Sequence, residues 1–218
     1  VVSPDDLVRD YGCDSLRLYE MFVGPPELDS EWDERGIDGV YRFITRFWKL
    51  AVDSIEANVE PTKEMIKLRH QMVHTITRRL EDFSLNTVVS GFMEFNNKFI
   101  ELAKKEGGID KETIQTFVTL LAPFAPHIGE ELWERLGNTG SVFENNKWPE
   151  ADEELMKDDE IQVPVQINGK TKVVISVPAD ISKDDAIAQG KEALGDKLTG
   201  NIIKEIYVPG RIVNIVAK

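Results

Sequence analysis

The sequence has 218 residues, of which 41% are hydrophobic and 30% are charged, and its formal net charge is -13 at pH 7. This composition is typical of an ordinary globular protein with one large domain or two modest ones. No apolar run approaches the roughly 20 residues that a membrane-spanning helix needs, and no secretory signal is visible. We therefore expect a cytoplasmic protein with no membrane partner.

Cysteine and histidine usage argues against a metal site. Cys13 is the single cysteine, which excludes a disulfide or a cysteine-ligated zinc site within one chain. His70 and His74 are four residues apart and would share a helix face. Two histidines leave a structural zinc ion short of its usual four ligands. We expect no metal and no other cofactor in this chain.

Residues 1–34 predict two short helices. The segment 3–6, Ser-Pro-Asp-Asp, is typical of a helix start, because it offers a capping hydroxyl, a proline for the first turn and two acids for the positive end of the helix dipole. Gly12 ends this helix. A second helix begins near Asp14 and stops before Gly24-Pro25-Pro26.

Residues 35–157 show apolar residues at three- and four-residue steps, which is the pattern of amphipathic helices. In the first helix these residues are Ile37, Val40, Tyr41, Ile44, Phe47, Trp48, Ala51 and Ile55. In the second, after Pro61, they are Met65, Met72, Val73, Ile76, Leu80 and Phe83, all expected to face inward. A third helix holds apolar residues from Val88 to Leu102 and ends at Gly107-Gly108, a fourth is capped by Asp110 and includes Leu121, and a last one runs from about Pro126 to Leu136. Long helices joined by short loops predict an antiparallel bundle.

Residues 158–218 follow an acidic stretch and change from the helical period to alternation. Two alternating runs flank Asn168-Gly169, the favoured two-residue hairpin turn. Pro164 predicts that the first strand lies at the edge of its sheet. A capped helix from Ser182 to Leu194 and two further strands complete a ββαββ module. The predicted fold class is mainly α, an antiparallel helical bundle followed by a small α+β domain.

No self-contained catalytic constellation is present, so we assign no catalytic residue. Glycine-rich phosphate loops and a nucleophile elbow are absent. Basic faces are the remaining functional signal, and taken alone they indicate a solvated surface more often than a binding partner, because charged helix faces are usually solvated. The candidate residues are Arg42, Arg46 and Lys49 on one helix, Arg69, His70, His74 and Arg78 on the next, and Lys170, Lys172 and Arg211 near the C-terminus. Lys170 and Lys172, two apart, are expected to share a strand face.

The net charge argues against a nucleic-acid partner, because phosphate attraction needs cations. The charge is nevertheless uneven along the chain. Residues 161–218 hold eight Lys or Arg against six Asp or Glu, and residues 63–105 hold eight against five. A local basic surface is therefore compatible with a chain whose net charge is negative.

Two N-terminal and central motifs resemble class I aminoacyl-tRNA synthetases. Val1-Val2-Ser3-Pro4-Asp5 and Tyr11-Gly12-Cys13-Asp14-Ser15-Leu16-Arg17 are similar to the segment just after the KMSKS loop of that class. Leu121-Ala122-Pro123-Phe124-Ala125-Pro126-His127, with Glu130-Glu131-Leu132-Trp133 and Trp148-Pro149, resembles the late part of its helical bundle. The start at Val1, without a methionine, suggests an excised or processed piece.

The C-terminal motifs narrow the resemblance to bacterial leucyl-tRNA synthetases. Val165-Gln166-Ile167-Asn168-Gly169-Lys170 and Ile206-Tyr207-Val208-Pro209-Gly210-Arg211 resemble the terminal domain of that family. Bacterial isoleucyl enzymes commonly end in a cysteine-ligated zinc domain, which one cysteine cannot form, and valyl enzymes end in a coiled-coil arm. The resemblance covers essentially the whole chain.

The resemblance implies a tRNA-binding C-terminal part of a leucine–tRNA ligase. Residues 1–34 would link the catalytic domain to an anticodon-binding-type bundle at 35–157, and residues 158–218 would form a second tRNA-binding domain that reaches the tRNA elbow. The whole enzyme would use ATP and Mg²⁺ to activate leucine. Its partners would be leucine tRNA and the catalytic domain, and we expect a monomer. The alternatives are the same region of a valyl or methionyl enzyme, or a helical interaction module without an RNA role.

Overall fold

The computed structural model describes residues 3–24, 32–144, 146–157 and 160–218. The chain divides into two compact units, Val1–Met156 and Lys157–Lys218. The first is helical and the second is a sheet with one long helix, which confirms the predicted fold class.

The first unit is built from seven α-helices in its described residues. These are α1 Pro4–Tyr11, α2 Cys13–Phe22, α3 Glu34–Ala57, α4 Lys63–Glu81, α5 Leu85–Glu106, α6 Lys111–Leu121 and α7 Pro126–Arg135. Side chains cap the N-termini of several of these helices. At the start of α6, the carboxylate of Asp110 accepts a hydrogen bond from the backbone amide of Thr113 at 3.0 Å. At the start of α4, the hydroxyl of Thr62 accepts one from the backbone amide of Met65 at 3.3 Å. Gly107, at φ 84°, ends α5 in the left-handed conformation that favours glycine.

The core of the first unit is centred on phenylalanines. The ring of Phe117 on α6 lies 4.3 Å from that of Phe47 on α3, and 5.8 Å from that of Phe92 on α5, between centroids. All three residues are buried. The short helices α1 and α2 add Leu7 and Leu18 to this core. Residues expected to form a link are therefore packed against the bundle.

Phe83 departs from the predicted inward set. Helix α4 ends at Glu81 in a Schellman-type cap. In this cap the backbone amide of Phe83 donates to the carbonyl of Leu80, and that of Ser84 donates to the carbonyl of Arg79. Phe83 takes the left-handed position of this cap at φ 54°, and it is 60% exposed. The helical period that predicted its burial had already stopped two residues earlier.

The acidic stretch before residue 157 is docked on α4. The indole nitrogen of Trp148 donates to the hydroxyl of Thr77 at 2.8 Å, and the amide nitrogen of Gln71 donates to the carbonyl of Met156 at 3.1 Å. A short 3-10 helix, Glu154–Met156, closes the unit. We call residues 146–156 the strap.

The second unit is a four-stranded sheet with one α-helix. Its elements are β1 Glu160–Ile167, β2 Lys170–Pro178, α8 Lys183–Leu194, β3 Ile202–Val208 and β4 Ile212–Ala217. The strand order is β2-β1-β4-β3, with β1 parallel to β4 and the other pairs antiparallel. Asn168 and Gly169 form the predicted hairpin turn at φ 50° and 79°. Gly190 of α8 allows a close approach to the sheet, since a Cβ there would lie 3.1 Å from Val213.

The prediction that β1 is an edge strand is wrong. β1 lies between β2 and β4, and Pro164 pairs with Val174 on β2. Pairing with β4 covers only Val165–Ile167, so Pro164 precedes the part of β1 that forms that ladder. The missing proline amide is tolerated for this reason.

Candidate nucleic-acid interface

Helix α3 presents three exposed cations at helical spacing. Arg42, Arg46 and Lys49 follow one another at steps of four and three residues, which places them along one face. In the part of the chain that the structure describes, the guanidinium groups of Arg42 and Arg46 have no hydrogen bond or ion pair. Lys49 Nζ lies 2.9 Å from Asp53 Oδ2, and this hydrogen bond raises the pKa of Lys49. The two arginines are therefore the cations on this face that are ready for an external anion.

Arg69 on α4 does not fit its predicted role as an RNA contact. Its side chain is 9% exposed, and its Nη1 lies 2.8 Å from Glu112 Oε2 and 3.7 Å from Asp110 Oδ1. Buried charges require partners within the protein, and both acids are at the start of α6. Arg69 therefore joins α4 to α6 and has little surface left for a phosphate.

His70 is also engaged inside the first unit. The amide of Asp152 in the strap donates to His70 Nδ1 at 3.0 Å, so this nitrogen carries no proton. Burial lowers the pKa of His70, and the neighbouring charge of Arg69 lowers it further. A neutral histidine that accepts a backbone hydrogen bond holds the strap and offers no positive charge to RNA.

The remaining candidates on α4 differ in exposure. His74 is half-buried and Arg78 is exposed, and neither side chain has a hydrogen bond or ion pair within the described ranges. The adjacent Arg79 is used internally, because its Nη1 donates to the carbonyl of Thr87 at 2.6 Å and its Nη2 lies 3.6 Å from Glu94. Only Arg78 on this helix thus remains an exposed guanidinium without a described partner.

The C-terminal candidates Lys170, Lys172 and Arg211 are all exposed, and the strand pairing is irregular between the first two of them and Val173. β2 pairs Val173 with Val165 and Lys170 with Ile167, so β2 holds one residue more than β1 between these pairs. Such a bulge interrupts the alternation of side chains. The two-residue spacing therefore fails to predict the directions of the two lysines.

Sequence reasoning missed the contact that joins the two synthetase-like motifs. Arg17 of the first motif donates to the carbonyls of Phe124 and Pro123 in the second, at 3.3 and 3.1 Å. The residues are more than a hundred positions apart, and no local pattern connects them. These hydrogen bonds join α2, in the first motif, to the segment just before α7, in the second motif.

Metal-binding clusters and membrane-spanning helices are both absent from the described ranges. No group of three or more His, Cys, Asp or Glu residues is placed to hold a metal ion there. Nor does any helix among the described residues combine the length and apolar character that crossing a membrane requires.

A model of the anticodon-binding domain of tRNA ligases matches residues 62–187, more than half of the chain. The chain belongs to this family. The match begins just before α4, and it continues past the strap into α8 of the second unit. The anticodon-binding domain predicted for residues 35–157 is thus matched from α4 onward, and α3 with its free arginines precedes the matched range.

Two curated relatives of this anticodon-binding family member are leucine–tRNA ligases. The enzyme of Fervidobacterium nodosum is 42% identical over an alignment of 235 residues, gaps included, which covers 100% of this chain and 29% of the relative. The enzyme of Parabacteroides distasonis is 41% identical over 223 residues, which cover 99% of this chain and 23% of the relative. The chain thus spans less than a third of either relative and matches their C-terminal parts. The predicted family is confirmed.

A solved structure supports the same kinship. The ternary complex of the Agrobacterium radiobacter K84 agnB2 LeuRS with tRNA and LeuAMS matches with a TM-score of 0.75 and 26% identity. The similarity covers 100% of this anticodon-binding family member and 30% of the LeuRS chain. The fold is therefore shared along the whole of this chain.

Proposed function

We propose that this chain binds leucine tRNA as the C-terminal part of a leucine–tRNA ligase. The observation that carries the proposal is the similarity of the entire chain to a LeuRS whose solved structure contains tRNA. Tight binding far from the reacting atoms serves catalysis by fixing where the acceptor end of the RNA lies. The chain contributes this positioning and no catalytic residue.

The proposed contacts are the exposed cations that remain after the structure has assigned Arg69 and His70 to internal roles. On the bundle these are Arg42, Arg46 and Arg78, and the paired Lys49 and the half-buried His74 lie on the same two helices. In the second unit they are Lys170, Lys172 and Arg211. Recognition by backbone shape suits such a set, because arginine and lysine contact phosphates without reading a base.

Leucine activation belongs to the rest of the proposed enzyme. We propose that a catalytic domain elsewhere in that protein uses ATP and Mg²⁺ to form leucyl-adenylate, while residues 1–218 hold no cofactor. The enzyme would work as a monomer in the cytoplasm, where its tRNA is found.

Salt-dependent tRNA binding tests the proposal. The 218-residue chain is titrated into labelled leucine tRNA and into a tRNA for another amino acid, between about 50 and 200 mM salt, over which phosphate contacts lose strength steeply. We expect preferential binding of leucine tRNA and a linear fall of log affinity with log salt. Failure to bind leucine tRNA at the lowest salt would contradict the proposal.

A matched pair of double variants locates the surface. Arg42→Ala with Arg46→Ala removes two unpaired cations, and the salt slope should fall by about two. Arg9→Ala with Arg35→Ala removes the same charge from exposed arginines that pair with Asp6, Asp10 and Asp33. Equal losses in the two double variants would mean that net charge, rather than the α3 face, governs binding.

A further inference from the structure

A cavity of about 500 Å³ opens between α3 and the C-terminal half of α5. Its volume lies within the range of about 300–1,000 Å³ that is typical of ligand sites. The cavity reaches the loop after α5, where Gly107 and Gly108 lie on its wall. A Cβ added at Gly107 would have no heavy atom within 4 Å, so the space beside it is open.

The deep wall of the cavity is apolar. Leu50 on α3 is 7% exposed, and Ile100 and Ala103 on α5 are half-buried and complete the wall. The accessible apolar surface of this wall belongs mainly to Ile100 and Ala103, while Leu50 is nearly covered at its base. An apolar group that enters the cavity would remove this wall from water, which is favourable.

The rim of the cavity is cationic. Arg46, Lys49 and Lys104 all line it. Lys49 pairs with Asp53 at 2.9 Å, and Lys104 pairs with Glu101 at 2.7 Å. Arg46 has no such partner in the described ranges. Asp53 lies in the lining as well, and its second carboxylate oxygen can accept an N–H group.

We propose that this cavity takes one unstacked nucleotide of the bound RNA. The base lies against Leu50, Ile100 and Ala103, its N–H edge faces Asp53, and its phosphate meets Arg46. The inference rests on the proposed tRNA-binding function and adds a specific subsite to it.

Charge and shape together favour this occupant. A phosphate alone would leave the apolar wall uncovered, whereas an apolar protein side chain would leave the guanidinium of Arg46 unused. A nucleotide combines a flat ring, which the aliphatic wall can cover, with one anionic group, which Arg46 can meet, and cationic grooves that follow the backbone are typical of proteins that bind single-stranded RNA. Arg46 also belongs to the α3 face that is proposed to bind RNA, so the cavity continues that surface.

The test fills the cavity without changing its charge. Ala103→Leu inserts a branched side chain into the cavity, whereas Ala103→Ser leaves the volume nearly unchanged at the same position. Leucine tRNA is bound to each 218-residue variant, and its nucleotides are probed by base-specific chemical modification. We expect one nucleotide to change reactivity on the unmodified chain and on Ala103→Ser. On Ala103→Leu it should keep its free-RNA reactivity, with an affinity about tenfold lower, which corresponds to a loss of about 1.4 kcal/mol.

Two further measurements test the cavity, one with a variant that lacks the charge of Arg46 and one with a free mononucleotide. Arg46→Gln should lower the salt slope by about one and weaken protection of the same nucleotide. Circular dichroism melting checks that Ala103→Leu folds, and Ala103→Met replaces it if it does not. Unchanged affinity and reactivity on the filled variant would overturn the cavity proposal while tRNA binding stands. If adenosine or guanosine monophosphate binds the chain and tRNA does not displace it, the cavity proposal is also overturned. No tRNA binding by the unmodified chain would remove the proposed function and this subsite together.

Discussion

Asp14 on α2 caps the N-terminus of α7. Its Oδ2 accepts from the amide of Ile128 at 2.8 Å, and its Oδ1 lies 2.7 Å from His127 Nδ1. Asp14 is 8% exposed, although it is charged. The first turn of α7 supplies unpaired amides and a positive dipole end, which together stabilise a buried carboxylate. The aspartate of one synthetase-like motif is thus held by the histidine segment of the other.

Replacing Asp14 should destabilise the first unit. Asp14→Ala leaves the amide of Ile128 and the ring of His127 without their acceptor, and the free energy of unfolding should fall by about 2 kcal/mol. Urea denaturation followed by circular dichroism measures this change. Asp5→Ala on α1 is the control, because Asp5 is exposed. Equal effects of the two variants would show that the cap contributes nothing specific.

Arg69 should behave as a structural residue and not as an RNA contact. Arg69→Met removes the cation that faces Asp110 and Glu112 while it keeps the apolar stem, and stability should fall by about 2–3 kcal/mol because Asp110 is left buried without its partner. The salt slope of tRNA binding should stay unchanged, in contrast to Arg46→Gln. A lowered slope with normal stability would restore the RNA contact that the sequence suggested.

The sequence predicted those parts of the fold that local patterns determine. The long helices follow from apolar residues at three- and four-residue steps, and caps such as Asp110 are readable because their partners are three residues away. The hairpin at Asn168-Gly169 is equally local, since both residues tolerate positive φ. The parallel pairing of β1 with β4 is not local, so Pro164 was placed wrongly.

The candidate site was less predictable for the same reason. Spacing along α3 correctly places Arg42 and Arg46 on an exposed face. The same reasoning cannot tell that Arg69 faces acids more than forty residues later, or that the strap brings Asp152 to His70. Charge patterns indicate which helix faces are polar, but only the tertiary structure shows which cations are already neutralised by other parts of the chain.

The strap should loosen in acid because of His70. Burial and Arg69 lower the pKa of His70 in the folded chain below the ordinary value of about 6.5. Its contribution to stability is therefore complete above about pH 6.5 and is lost as the pH falls through the folded pKa. Unfolding by urea at pH 7.5 and at pH 5.5 should show a loss in the unmodified chain that is smaller in His70→Gln. His74→Gln is the control and should retain the loss, and an identical pH dependence in all three proteins would contradict the role of His70.

Removal of the second unit should separate tRNA charging from leucine activation in the proposed enzyme. The first unit has its own core, centred on Phe47, Phe92 and Phe117, and its strap ends at Met156. Deletion of residues 157–218 should therefore leave a folded helical bundle, with the far-ultraviolet circular dichroism of helices and a cooperative thermal transition. Leucine-dependent ATP–pyrophosphate exchange should persist in the proposed enzyme when it carries this deletion, because the deleted segment carries no predicted catalytic residue.

Leucylation of tRNA should fall strongly in the same deletion, since Lys170, Lys172 and Arg211 are lost together. Lys170→Gln with Lys172→Gln and Arg211→Gln provides the matched control, because it removes the three charges and keeps the sheet. If this triple variant reproduces the deletion, electrostatic contact with tRNA explains the role of the unit. If the deletion impairs charging and the triple variant does not, the unit acts through other surfaces of the sheet. Normal charging by the deleted enzyme would contradict any tRNA-binding role for residues 157–218, while leaving the bundle as the RNA-binding part of the chain.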